Sequence, residues 1–136
     1  MLSYEQALEH LLAAAEPVAE IKLLPLAVAR GRILAEPLVS TVTVPPLDNS
    51  AMDGYAVRCA DITQAGAELP VSQRIPAGSV GHTLASGTAA RIFTGAPVPA
   101  GADAVVMQEF CEHGKAGGVI VNQVPKAGQN IRRAGE

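Results

Sequence analysis

The first periodicity in the chain is helical. Tyr4, Ala7, Leu11 and Ala14 recur at three- and four-residue spacing, which lines them along one face. Ser3 stands where a cap is needed, and Gln6, three residues on, can reach back to close a capping box. Leu2 and Ala7 flank the cap as a hydrophobic staple, and Pro17 is the expected stop. Such a face is core or dimer-interface material, with no chemistry expected of it. Farther on, Pro25 breaks any long helix, and Gly31 is placed as the left-handed residue closing a short one. Residues Ile33 to Val42 read as extended, with Pro37 confining part of them to a sheet edge. The run Thr41-Val42-Thr43-Val44 is β-branched throughout and strand-prone.

Pro45-Pro46 marks a change of pattern. Beyond it, short apolar runs are split by Gly and Pro roughly every 8–12 residues, the spacing of a small β domain. The expected strands are Gly54 to Arg58, Val71 to Ile75, Thr88 to Phe93, Ala104 to Gln108 and Val119 to Val124. Ala77-Gly78, Gly95-Ala96-Pro97, Pro99-Ala100-Gly101 and Gly117-Gly118 supply the turns between them. The last residues, Gly128 to Glu136, end without a helix cap or a closing strand, so the chain is expected to be a fragment of something longer. The predicted architecture is α+β and mostly β. A helix and extended-strand stalk covers residues 1–45, a small β domain covers 46–127, and residues 128–136 return to the stalk.

Composition narrows the picture. Of the 136 residues 49% are apolar but only 3% aromatic, with no Trp, so the core must be built from Val, Ile, Leu and Ala. A core of that kind is expected to lean on a neighbouring domain or a second copy. The net charge of -3 argues against non-specific nucleic-acid binding. No run approaches the ~18 apolar residues that span a bilayer. Cys59 and Cys111 are isolated, no signal-peptide n-region precedes the helix, and the expected compartment is a reducing cytoplasm.

Two stretches could carry chemistry. Asp48-Asn49-Ser50-Ala51-Met52-Asp53-Gly54-Tyr55-Ala56 follows two prolines and precedes a strand. Its small residues let the backbone approach a ligand while Asn49, Ser50 and Asp53 face it. A carboxylate there could act as a base, orient water or hold a cation's shell; equally, Asp48 and Asp53 could form Asx-turns with their own backbone. In the second stretch Thr94 sits where an apolar strand gives way to Gly95-Ala96-Pro97, and could bond a substrate oxygen or merely start the turn. Lys126, Arg132 and Arg133 could receive a small anion or form a solvated tail. His10, His82 and His113 lack metal-ligand spacing, and no phosphate loop, dinucleotide fingerprint or nucleophile elbow occurs.

These two stretches, extended through Ala102-Asp103-Ala104-Val105-Val106 and joined by Gly128-Gln129-Asn130-Ile131-Arg132-Arg133, resemble the N-terminal region of the MoeA family. The same region occurs in the E domain of gephyrin. The resemblance includes the Ala29-to-Ala35 turn and runs through essentially the whole chain. It implies a molybdopterin molybdenumtransferase reaction, in which adenylylated molybdopterin and molybdate react with release of AMP, assisted by Mg2+. By motif, Asp53 matches an acidic residue on which family activity depends, and Thr94 a hydroxyl residue in the same cleft. Asn49, Ser50, Gly54, Gly95, Arg132 and Arg133 are the expected substrate-binding positions, with no metal ligand assigned in this chain. The resemblance also implies a homodimer, contact with molybdopterin adenylyltransferase-type assembly proteins, and an α/β domain beyond this segment that holds the pterin. The rival expectation is a non-catalytic dimerisation or scaffold module.

Overall fold

A computed structural model describes residues 2–16 and 20–136. The chain divides into two compact units, Met1–Val39 and Ser40–Glu136.

The first unit is built locally. Helix α1 spans Tyr4–Ala13, and the capping box forms as expected: Gln6 N–H donates to Ser3 Oγ at 3.3 Å, and Ser3 N–H donates to Gln6 Oε1 at 3.0 Å. The helix stops at Ala13, and Pro17, its expected terminator, lies outside the described residues. Leu26–Val28 makes one 3-10 turn, after which Gly31 adopts φ +81°, the left-handed geometry foreseen for it. Neither Ile33 to Val42 nor Thr41 to Val44 forms a strand. That corrects the expected extended-strand stalk. β-propensity reports how well a residue fits a pleated, half-covered surface, and these residues are exposed with no strand beside them to pair.

The second unit is a layered β structure. Its strands are β1 Asn49–Ser50, β2 Gly54–Val57, β3 Ala67–Leu69, β4 Val71–Ile75, β5 Ala89–Ile92, β6 Ala104–Met107, β7 Cys111–His113, β8 Val119–Val121 and β9 Ile131–Arg132. They assemble into a four-stranded sheet ordered β4-β5-β2-β6, a three-stranded sheet β3-β8-β7, and the pair β1-β9. Only β4 and β5 run parallel among these pairings. The five strands expected from the sequence are present, Val71–Ile75 with the predicted ends and the others with ends no more than three residues away. The short β1, β3, β7 and β9 were not foreseen.

The four-stranded sheet is covered on both faces. Val57, Ala89, Ala104 and Val106 pack with Leu69, Val119 and Val121 of the three-stranded sheet. The alternate residues Ala56, Ala90, Ile92 and Val105 pack on the other side with Ile75, Leu84 and Ala96. Two buried faces explain why β6 reads as an uninterrupted apolar run. The core is wholly aliphatic, as the composition required. The last segment is hydrogen-bonded into this unit through β9 and through Gly128 N–H to Asp103 O at 2.7 Å, and Gly135 N–H reaches Pro45 O, at the end of the expected stalk, at 3.1 Å.

Candidate active site

The two candidate stretches meet. Ser50 N–H donates to Ala96 O at 2.9 Å and Gly95 N–H returns to Ser50 O at 2.8 Å, while Ala51 N–H reaches Asn130 O at 2.9 Å. The loop before β2, the turn after β5 and the tail are therefore stitched into one surface. Its focus is Asp53. Thr94 donates twice to the same carboxylate oxygen, Asp53 Oδ1, from its N–H at 2.8 Å and from its hydroxyl at 2.7 Å. These two bonds, the backbone one first, hold the Asp53 carboxyl below the ordinary aspartate value, and the nearby Arg91 charge adds to the effect. Oδ2 accepts no hydrogen bond from the described residues.

Asp53 is thus an ionised acceptor with one oxygen fixed and one free. A carboxylate of lowered pKa is a poor proton acceptor, so the geometry suits orienting a donor more than general-base chemistry. Thr94 is exposed, but its hydroxyl proton is already committed. What Thr94 offers a ligand in this arrangement is an acceptor lone pair.

The remaining expected residues divide by exposure. Ser50 is fully buried; its hydroxyl donates to Met52 O and accepts Met52 N–H, so it shapes the loop and does not face solvent. Gly54 is buried in β2, where a Cβ would strike the Val106 carbonyl oxygen of β6. Close approach of strands, and not of a ligand, explains that glycine. Gly95 is exposed with φ +81° and opens the turn beside Thr94. Asn49 bridges Pro97 and pairs with Arg132, and its buried Oδ1 has no partner among the described residues. Arg132 is exposed. Arg133 is tied to Asp48, whose carboxylate also accepts Ala134 N–H at 2.9 Å; this lowers the Asp48 pKa, with the Ala134 bond first and Arg133 second. Asp48 therefore anchors the tail.

Sequence reasoning gave no role to Arg91. Its guanidinium bonds Gly54 O and Gln108 Oε1, and it lies with Tyr55, Gln108, Cys111, Glu112 and His113 around a cleft of about 320 Å³. An arginine flanked by the buried Ala90 and Ile92 within a strand was the available signal.

The family described as "MoeA N-terminal region (domain I and II)" matches residues 2–136. The chain belongs to this family. A molybdopterin molybdenumtransferase of Haemophilus influenzae is 42% identical across 100% of the chain, covering 34% of the relative. One from a Nostoc species is 50% identical over 76% of the chain and 25% of the relative. The molybdopterin biosynthesis MoeA protein of Pyrococcus horikoshii OT3 superposes with a TM-score of 0.78 at 37% identity, covering 100% of this chain and 37% of that one. The chain spans about a quarter to a third of the length of the curated relatives it matches, and the relatives' names place the family in molybdenum cofactor biosynthesis.

Metal and thiol chemistry at these residues are both limited. No group of three or more His, Cys, Asp or Glu side chains that could hold a metal ion occurs among the described residues, so the Mg2+ implied by the resemblance has no complete ligand set here. Cys59 and Cys111 are both pushed up to about 11, chiefly by burial, so neither is a thiolate at neutral pH. No helix among the described residues is long and apolar enough to cross a membrane.

Proposed function

We propose that this chain supplies the β-domain half of the cleft of a molybdopterin molybdenumtransferase, the enzyme that transfers molybdenum from molybdate to adenylylated molybdopterin with release of AMP. The observation that carries the reading is the double donation of Thr94 to one oxygen of Asp53, which leaves Oδ2 ionised and free at the surface. In this reading Asp53 orients a water or a hydrated cation against the substrate. Thr94 holds that carboxylate in place and accepts one hydrogen bond through its oxygen. Fixed charge of this kind stabilises a transition state without reorganising at the moment of reaction. A complete ligand set for Mg2+ is not assembled among the described residues. Arg132, exposed at the rim of the same stitched surface, is the cation available to an anionic substrate group.

The site is half of one. The pterin-binding domain of a second subunit completes it in the proposed homodimer. Leu23, Leu26 and Ile33 are 102%, 92% and 97% exposed here and are the sort of surface a partner covers. An adenylyltransferase-type assembly protein is the proposed source of substrate, and a cytoplasmic setting is the proposed compartment.

The test is complementation. This chain is mixed with a full-length relative whose aspartate matching Asp53 has been changed to alanine, and cofactor formation from adenylylated molybdopterin and molybdate is followed. Recovered activity that disappears when the chain carries Asp53→Ala supports the reading. Failure to recover activity, with association of the two chains confirmed by sedimentation, overturns it and favours the scaffold module.

A further inference from the structure

Arg91 touches the turns that carry both members of the Asp53–Thr94 pair. Nη1 donates to Gly54 O at 2.8 Å, immediately after Asp53. Nη2 donates to Gln108 Oε1 at 2.6 Å, and Gln108 N–H donates to Asp53 O at 3.0 Å. The circuit Asp53–Gly54–Arg91–Gln108–Asp53 is closed. Its guanidinium carbon sits 4.5 Å from the centroid of Phe93, which precedes Thr94, and 5.2 Å from that of Tyr55, which follows Gly54. One planar group therefore braces the Asp53–Gly54 turn and the Phe93–Thr94 turn at once.

We infer that Arg91 is the positioning residue of the Asp53–Thr94 pair, fixing the two turns in a single geometry without itself reaching substrate. The inference rests on the catalytic reading of that pair. A planar fork is what the arrangement uses: two nitrogens address two acceptors while the flat face covers aromatic rings. A lysine would supply charge but neither the fork nor the stack. The groups facing Asp53 are Thr94 and Arg91 from the end of β5 and the Gln108 N–H from the end of β6, so Arg91 is the charge among them.

Arg74 is an internal control. It pairs in register with Arg91 across β4 and β5, and its guanidinium carbon is also 4.5 Å from the Phe93 centroid. It is exposed, however, and reaches neither Gly54 nor Gln108 in the described hydrogen bonds. Two arginines on one ring are thus separable: one closes the circuit, the other only stacks.

The experiment uses the 136-residue chain carrying Arg91→Met, Arg91→Lys or Arg74→Met. Carboxyl-carbon NMR follows the titration of Asp53, and the Thr94 amide resonance reports its hydrogen bond. Arg91→Met is expected to move the Thr94 amide and raise the Asp53 midpoint. Arg91→Lys is expected to bring the midpoint back towards the parent while the amide stays displaced, and Arg74→Met to change neither. A folded Arg91→Met chain with the parental amide and midpoint overturns the inference; should that variant not fold, a parental Thr94 amide in Arg91→Lys overturns it equally. In the complementation mixture the expected loss for Arg91→Met is roughly ten- to a hundredfold in turnover with KM unchanged. A displaced midpoint with full turnover would overturn the catalytic reading of Asp53 and leave the positioning role standing.

Discussion

The two units of this chain are both rich in aliphatic residues and use them in opposite ways. Among the described residues up to Val39 none is buried, although α1 is correctly capped and amphipathic. From Ser40 onward, two aliphatic clusters enclose the four-stranded sheet from both sides. A helix satisfies most of its backbone within itself, so local signals suffice to place its start, although a helix of 10 residues is only marginally stable in water until its apolar face is covered. A strand satisfies its backbone only against another strand, and the closure that supplies hydrogen bonds also buries side chains. Local order and a core are therefore separable, and this molecule separates them between its two units.

The contrast is broken most sharply by matched truncations. Ile92→Ala, in the fully buried cluster, is expected to destabilise the β unit by roughly 2–5 kcal/mol in urea denaturation. Leu23→Ala, at a fully exposed position, is expected to change stability by no more than about 0.5 kcal/mol. Equal effects would mean that the first unit has a buried role in the isolated chain.

Acid is expected to have the next largest effect, and to act on the β unit. Asp48, Asp53 and Asp61 are all held below the ordinary aspartate value, each by a backbone N–H first: Ala134, Thr94 and Gly87 respectively. A carboxyl whose folded pKa is depressed contributes stability that is present above the unfolded pKa of about 3.9 and is lost as pH falls through the depressed folded value. The urea midpoint should therefore be flat from neutral pH down to about 5 and fall below about 4. Asp61→Asn should flatten part of that decline. A midpoint that first falls near pH 6 would remove this explanation.

The smallest effect belongs to the cap. Ser3→Ala removes the acceptor for Gln6 N–H and is expected to cost α1 about 1 kcal/mol, read as lost helical ellipticity with the β unit's urea midpoint unmoved. A shift of that midpoint would show that the two units are energetically coupled.

Much of this was legible in the residues. The capping box at Ser3 and Gln6, the left-handed Gly31, and five strands of the β unit were all foreseen; the motifs also singled out Asp53 and Thr94, which the fold joins by two hydrogen bonds. The errors have a common origin. Thr41 to Val44 has high β-propensity and no partner, whereas Cys111–His113 and Ala67–Leu69 are weak strand formers recruited by β8 between them. Ser50 and Gly54 looked like ligand-facing small residues, but one is spent on Met52 O and the other on the approach of β6.

By itself the sequence determined what neighbours within a few positions can enforce: where a helix starts, where a glycine must turn the backbone, and which runs are apolar enough to be buried. Tertiary structure decided that Thr94 meets Asp53 from 41 positions away, and that Arg91 braces Gly54 from 37. It also decided which β-prone runs became strands. The physical reason is that a cap or a positive φ is stabilised by atoms already tethered nearby, whereas a cross-strand bond exists only after the chain has closed a long loop and covered the cost in entropy with burial elsewhere.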